Sequence, residues 1–204
     1  SLPIENFILL RQCYFAFKMI FYFLLTKDRS FFSALFSSFF TALILLDLSA
    51  AFDTIDHNIL LTRLSSTFGI CGPALDLLTS YLTDRHQFVC IDSDSSDLAS
   101  LTTGVPQGSV LGPLLFTLYT TPLSYLLQNA AMSFHFYADD TQLYIPFSRQ
   151  DHTHTLSLLS ATLDSVHSWL SSNRLIVNPS KTEYLLVGSS HQRAKIISSS
   201  LAFK

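Results

Sequence analysis

Between Ser133 and Phe147 the chain reads SFHFYADDTQLYIPF, and its apolar positions Phe134, Phe136, Leu143 and Ile145 recur with period two. That spacing predicts a pair of strands with Ala138, Asp139 and Asp140 near the turn that joins them. Ahead of Asp47, ALILL is a short apolar run suited to a buried strand, so this strand too ends in an acid. Ile59, Leu60, Leu64 and Phe68 have helical spacing between an Asp56 cap and Gly69. GPALDLLTSYLTDR predicts a second helix with Pro73 in its first turn. HQFVCID and LASLTTG predict two strands joined by the polar SDSSD turn. GVPQGSVLGPLLFTLYTTPLSYLLQNA predicts a glycine-containing loop running into a long apolar helix packed under a sheet. Leu156, Leu159, Leu163, Val166 and Leu170 predict another helix, and IVNPSKTEYLLVG a turn at Asn178 and Pro179 followed by a strand.

The resulting order is strand, two helices, strand pair, helix, hairpin, helix, strand. It lacks the regular strand–helix alternation of a doubly wound fold and predicts an α+β domain, an antiparallel sheet with helices on one face. No internal repeat is present, and the polar tail from Ser189 is expected to fray.

Composition changes this picture at the N-terminus. Hydrophobic residues make up 49% of the 204 and charged residues 13%, and much of the apolar excess, with many of the 18 phenylalanines, lies in the first 46 positions. Mean hydropathy is +0.36. The run Phe7–Leu25 approaches the length of a membrane span but contains Arg11 and Lys18, each costing roughly 2.5–3.5 kcal/mol at a bilayer centre. The run Phe31–Leu46 is short for a span. An aggregation-prone apolar patch is therefore preferred to membrane insertion for this segment, with insertion kept as the alternative.

The length suits one domain, or one domain with an appendage, and is ample for a buried core. A net charge of −3 argues mildly against a free-standing nucleic-acid binder, which usually carries a basic surface. Cys13, Cys71 and Cys90 are too few and too scattered for a disulfide framework or a zinc site and are expected to be buried thiols. Because the sequence starts at Ser1, it is expected to be part of a longer product.

The candidate chemistry rests on three acids. In an antiparallel sheet the end of one strand can lie beside a neighbouring hairpin, which would bring Asp47 and Asp139 together, with Asp140 adjacent. Close carboxylates repel unless a hard divalent cation joins them. Magnesium suits such a pair, keeping waters and taking further ligands from substrate phosphates. Two ions about 3.5–4 Å apart would stabilise both the attacking and the leaving oxygen of a phosphoryl transfer. The loop from Gly104 to Gly108 would let backbone approach a nucleotide, and it delivers Gln107 and Ser109 to a helix N-terminus that favours phosphate. Aspartate is also an ordinary turn former, so the hairpin alone decides nothing. Asp53 is expected to be a local hydrogen-bonding acid and Asp56 a helix cap. His152, His154 and His167 are assigned to a solvated helix face, and Trp169 and Tyr184 to the core.

LLDLSAAFDTIDH, GVPQGSVLGPLLF, FYADD and NRLIVNPSKTEYLLVG resemble, in order and spacing, the successive palm motifs of the reverse transcriptases of non-LTR, LINE-type retrotransposons. A lone YADD would be a weak signal; four motifs in order are specific. The resemblance covers roughly Ala42–Gly188 and divides the chain into a non-matching hydrophobic segment (1–41), a palm domain (42–188) and a polar tail (189–204). It implies a polymerase palm that adds deoxynucleotides to a primer 3′-hydroxyl on an RNA template, with Mg2+, or Mn2+ in its place. Asp47, Asp139 and Asp140 match the family's catalytic, metal-binding acids. Phe52 matches an aromatic under the incoming sugar, where a ring would clash with a 2′-hydroxyl; ordinary core packing is its alternative. Gly104, Pro106, Gln107 and Gly108 match the loop that contacts nucleotide and template. Lys181 matches a late-motif lysine proposed to protonate or neutralise the departing pyrophosphate.

The match also has gaps. Leu77 stands where a tryptophan is expected, no fingers motif is found in residues 1–41, and nothing after Gly188 is long enough for a thumb. Fingers are thus expected to be incomplete and the thumb absent. A catalytically inactive relic, or a chain tethered to a membrane through its N-terminus, is the alternative. Location in nucleus or cytoplasm follows from analogy only.

Overall fold

The computed structural model describes residues 40–148 and 150–187. The expectations about membrane insertion, Cys13 and the polar tail lie outside the described residues. In chain order the elements are β1 (Phe40–Leu46), β2 (Leu48–Ser49), α1 (His57–Ser66), α2 (Pro73–Leu82), β3 (Arg85–Gln87), β4 (Cys90–Ile91) and β5 (Asp94–Ser95). They continue with β6 (Ala99–Leu101), α3 (Leu111–Asn129), β7 (Ser133–Tyr137), β8 (Asp140–Phe147), α4 (His152–Ser172), β9 (Ile176–Val177) and β10 (Glu183–Val187).

The main sheet has the order β10-β1-β8-β7, and every pairing in it is antiparallel. Its centre is β1, whose sequence FTALILL is apolar at nearly every position and buried along its whole length. An uninterrupted run of this kind is what a strand covered on both faces requires. Ala42, Ile44 and Leu46 point to one face, where they join a core with Leu143 and Phe147 of β8. The helices supply the rest of that core: Leu60 and Leu64 from α1, Leu115, Phe116, Leu123 and Leu127 from α3, and Leu159, Val166 and Leu170 from α4. Each such side chain contributes about 1.5–3 kcal/mol through burial. The α+β class with helices against an antiparallel sheet is therefore the architecture of the protein.

Local sequence sets the helix ends. Asp56 Oδ1 accepts from the backbone N–H groups of Asn58 (2.9 Å) and Ile59 (3.0 Å), capping α1. The helix closes at Gly69, whose φ of 68° lets Ile70 N–H reach the Leu64 carbonyl at 3.0 Å. Pro73 opens α2 as expected. Ser109 Oγ accepts from Gly112 N–H (3.0 Å) at the start of α3.

Arg63 ties three helices together. Its guanidinium donates to the Tyr119 carbonyl and to Asn173 Oδ1, and it lies over the Tyr119 and Trp169 rings at 5.0 and 5.6 Å. The Tyr119 hydroxyl in turn donates to the Asn173 carbonyl at 2.8 Å. Burial lowers the pKa of Arg63 and raises that of Tyr119 from their ordinary values.

Four expectations need correction or addition. Cys71 and Cys90 are exposed thiols rather than buried ones, because they sit in the connection between α1 and α2 and in a two-residue strand pair whose residues are all exposed. Tyr184 is 54% exposed instead of forming core. It stands on the edge strand β10 beside a cavity of about 330 Å3 between that strand and α4. The expected long strand pair after α2 is broken into two short ladders, β3 with β6 and β4 with β5. The pairing of β2 with β9, absent from the sequence expectation, clips the chain after β1 to the chain after α4. Trp169 is partly buried against the core, and His154 and His167 are exposed on α4.

Candidate active site

Asp47 is the first residue beyond β1, and its position is set twice. The Asn178 N–H donates to the Asp47 carbonyl at 2.8 Å, and the β2–β9 ladder follows at once with Leu48 opposite Val177. Asn178 also builds its own turn: its Oδ1 accepts from the Ser180 N–H and hydroxyl, and its carbonyl accepts from the N–H groups of Lys181 and Thr182. The turn so formed carries the Lys181 ammonium to 3.5 Å from Asp47 Oδ2. That oxygen is buried and has no hydrogen-bond partner. Lys181 is half-exposed, so the ion pair contributes at most about 1 kcal/mol to the fold. Its value lies in where it places the charge.

The second acidic element arrives through the β7–β8 hairpin. Tyr137 pairs with Asp140, leaving Ala138 and Asp139 as a two-residue connection. Ala138 takes a φ of 52°, a conformation usually left to glycine in such turns, which costs of order 1–3 kcal/mol. In the β1–β8 ladder Leu46 pairs with Thr141. Continuing that register by one residue sets Asp47 opposite Asp140, with Asp139 in the turn next to it. Directly opposed residues in an antiparallel pair have Cβ atoms roughly 4.5–5.5 Å apart. All three acids are half-buried.

Among the described residues no three His, Cys, Asp or Glu side chains form a ready-made metal cage. The residues do fit a hard divalent cation of the kind that takes its remaining ligands from water and substrate phosphate. A buried carboxylate oxygen that accepts no hydrogen bond and has only the half-exposed Lys181 ammonium near it lies at a strand end that the register brings beside a second acid-bearing strand, and a metal cation would supply the partner it lacks.

The other predicted residues gather in a second cluster, built by the segment 52–57 and the loop 104–108. Val105 N–H donates to the Phe52 carbonyl (3.0 Å) and Gly104 N–H to the Ile55 carbonyl (2.8 Å). Gly104 has a φ of +84°, and a Cβ there would lie 3.0 Å from the Asp53 carbonyl oxygen, so only glycine allows this approach. Gln107 Nε2 donates to Asp53 Oδ1 at 2.9 Å, which makes Asp53 the local hydrogen-bonding acid anticipated for it. Pro106 is half-buried at the base of the loop, and its carbonyl accepts from Ser109 N–H at 3.2 Å. Gly108, at φ +76°, has open space where a side chain would be. Phe52 is half-buried with its ring 4.9 Å from that of Phe116. It is therefore packed against the core and partly exposed at once. One participant escaped the sequence: His57 is buried, and its Nε2 lies 2.7 Å from the Gly104 carbonyl. Only the DH pair following FDTI could have pointed to it, and nothing local distinguishes that histidine from a helix residue.

Residues 37–199 match the family described as reverse transcriptase (RNA-dependent DNA polymerase). The chain belongs to this family. Over 144 residues it is 32% identical to the "Probable RNA-directed DNA polymerase from transposon BS" of Drosophila melanogaster, covering 68% of this chain and 16% of that protein. Over 149 residues it is 31% identical to the "RNA-directed DNA polymerase from mobile element jockey" of the same organism, covering 67% of this chain and 15% of that one. This reverse transcriptase chain therefore spans about a sixth of the length of these relatives, and the LINE-type assignment carried by its motifs stands with them. Among solved structures it is similar to telomerase from Candida tropicalis in complex with the TWJ fragment of telomeric RNA. The TM-score is 0.61 at 15% identity, over 82% of this chain and 29% of that one, a likeness of fold. The reverse transcriptase palm is thus the α+β sheet described above.

Proposed function

We propose that this chain is the catalytic palm of a retrotransposon RNA-directed DNA polymerase, which adds deoxynucleotides to a primer 3′-hydroxyl along an RNA template. The observation that carries it is the buried Asp47 Oδ2 at a strand end, which accepts no hydrogen bond and is balanced by the Lys181 ammonium at 3.5 Å, with Asp140 next in register. Asp47, Asp139 and Asp140 are the residues that would hold Mg2+ or Mn2+. When bound, the metal supplies charge neutralisation at the attacking and leaving oxygens. Lys181 sits on a turn rather than in the core and can move its ammonium from Asp47 to a departing pyrophosphate, neutralising it or giving it a proton. Phe52, backed by Phe116, offers a ring edge that excludes a 2′-hydroxyl, and the 104–108 loop supplies a close-approaching backbone for nucleotide and template.

Primer extension with dTTP on a poly(rA) template with an oligo(dT) primer and Mg2+ tests this function, comparing the chain with Asp139→Asn at low and physiological salt. Extension by the parent is expected, falling at least about a hundredfold in the variant. It should weaken steeply with salt, since phosphate contacts dominate such binding. A chain folded by circular dichroism that extends no primer at low salt would overturn the proposal in favour of an inactive relic.

A further inference from the structure

The loop 104–108 is attached to the 52–57 segment almost entirely from one side. Backbone bonds fix residues 104 and 105, a close approach fixes Gly104 over Asp53, and an isolated bridge joins Thr103 to Asp56. Beyond Val105 the loop turns outward, and Gln107 and Gly108 are exposed. Where the outward half points depends on the peptide between Gly104 and Val105, the last backbone of the loop bonded to the 52–57 segment; beyond it the loop is held by the Gln107 side chain on Asp53 and by the turn from Pro106 to Ser109. Its carbonyl, on buried Gly104, is the one that faces the His57 ring at 2.7 Å. A carbonyl can only accept, so Nε2 carries the proton and donates.

We propose that His57 is a positioning residue for nucleotide binding: by donating to the Gly104 carbonyl it fixes the angle at which the Pro106–Gly108 segment meets the incoming deoxynucleotide. The identity of that ligand rests on the polymerase function proposed above. His57 is 5% exposed and opens α1, whose first turn is capped by Asp56, so the ring is anchored by the helix and not by the loop it holds. Asp53 completes the arrangement. A carboxylate accepts only, so it takes the Gln107 Nε2 and leaves Oε1 as the atom with which this side chain would accept from a ligand. His57 thereby sets the loop's angle and Asp53 the orientation of the side chain at its tip. A buried acceptor that loses its donor must find another partner, and the Gly104–Val105 peptide can reach one by rotating, which strains its remaining bond from Val105 N–H to the Phe52 carbonyl and displaces the loop.

The test measures equilibrium affinity for dTTP with Mg2+ on a poly(rA) template whose oligo(dT) primer ends in a dideoxynucleotide, so that no turnover is needed. His57→Leu is expected to weaken dTTP binding about tenfold while primer–template affinity changes by less than about twofold, and His57→Gln, which restores a donor, to recover most of the loss. If His57→Leu does not fold, Asp53→Ala, at an exposed position, carries the same expectation at about threefold. Unchanged dTTP affinity in these variants would overturn the inference. So would a parallel fall of dTTP affinity, primer–template affinity and thermal midpoint, or a parent chain that binds no dTTP. Binding that depends on His57 from a chain that cannot extend an unblocked primer would overturn the polymerase function alone. Normal extension with dTTP affinity indifferent to His57 would overturn the inference alone.

Discussion

Two stretches of this protein carry large apolar residues that have met opposite fates. Strand β1 is buried at all seven positions and paired on both sides. The arm formed by α2 and the short ladders β3–β6 and β4–β5 leaves Leu77, Phe88, Val89, Ile91 and Leu98 between 57% and 70% exposed, and α2 buries only Leu82 fully. What separates them is partners distant in sequence: β1 finds β8 about a hundred residues on and β10 further still, whereas the strands of the arm pair only with one another and only α2 reaches the core. The acid Asp47 is mounted on the first of these regions. A carboxylate that is to hold a metal ion, as proposed for Asp47, must stay within a fraction of an ångström of its place, and the end of a strand buried and paired on both sides provides that.

Substitutions can break that contrast or sharpen it. Ile44→Ala, in the middle of β1, should cost about 2–5 kcal/mol and lower the urea midpoint accordingly. A cost near zero would mean the sheet centre is not the rigid platform described. Gly104→Ala comes next, at about 1–3 kcal/mol, because it adds strain at a φ of +84° and a clash with the Asp53 carbonyl. Its thermal midpoint should fall together with nucleotide affinity. Asp56→Ala removes two cap bonds from α1, the helix between the two regions, for about 1 kcal/mol by thermal unfolding. Smallest of all, Ile91→Ser in the arm should shift stability by no more than about 0.5 kcal/mol. A larger loss there would show that the arm is packed in solution and that the contrast is false.

Much of this was legible locally. The Asp56 cap, Pro73 at the start of α2 and the alternation of Phe134, Phe136, Leu143 and Ile145 are written within a few residues of where they act. The candidate site was legible in part, since the acids fall where strands end. What could not be read is what joins segments far apart: the bond from Asn178 N–H to the Asp47 carbonyl, the two-residue strands β2 and β9, and the reach of His57 to a carbonyl 47 positions away. Strands of two residues have no period to detect. The exposed Cys71, Cys90 and Tyr184 were misjudged for a related reason, because residue type sets an average burial while the actual value depends on what folds over it.

The ladder between β1 and β8 also acts as a counter. Leu46 is matched to Thr141 and Ile44 to Leu143, so a slip of one place would turn Leu143 out of the core and Gln142 into it. Changes of chain length before Phe40 or after Phe147 leave this count untouched, while any odd change between Leu43 and Asp47, or between Asp140 and Tyr144, scrambles it. The doubled acid softens one such error. If β8 moves one place toward its C-terminal end, Asp139 arrives where Asp140 stood, and the strand end still meets a carboxylate. Insertions and deletions among related chains should therefore avoid these two short windows and collect in the arm.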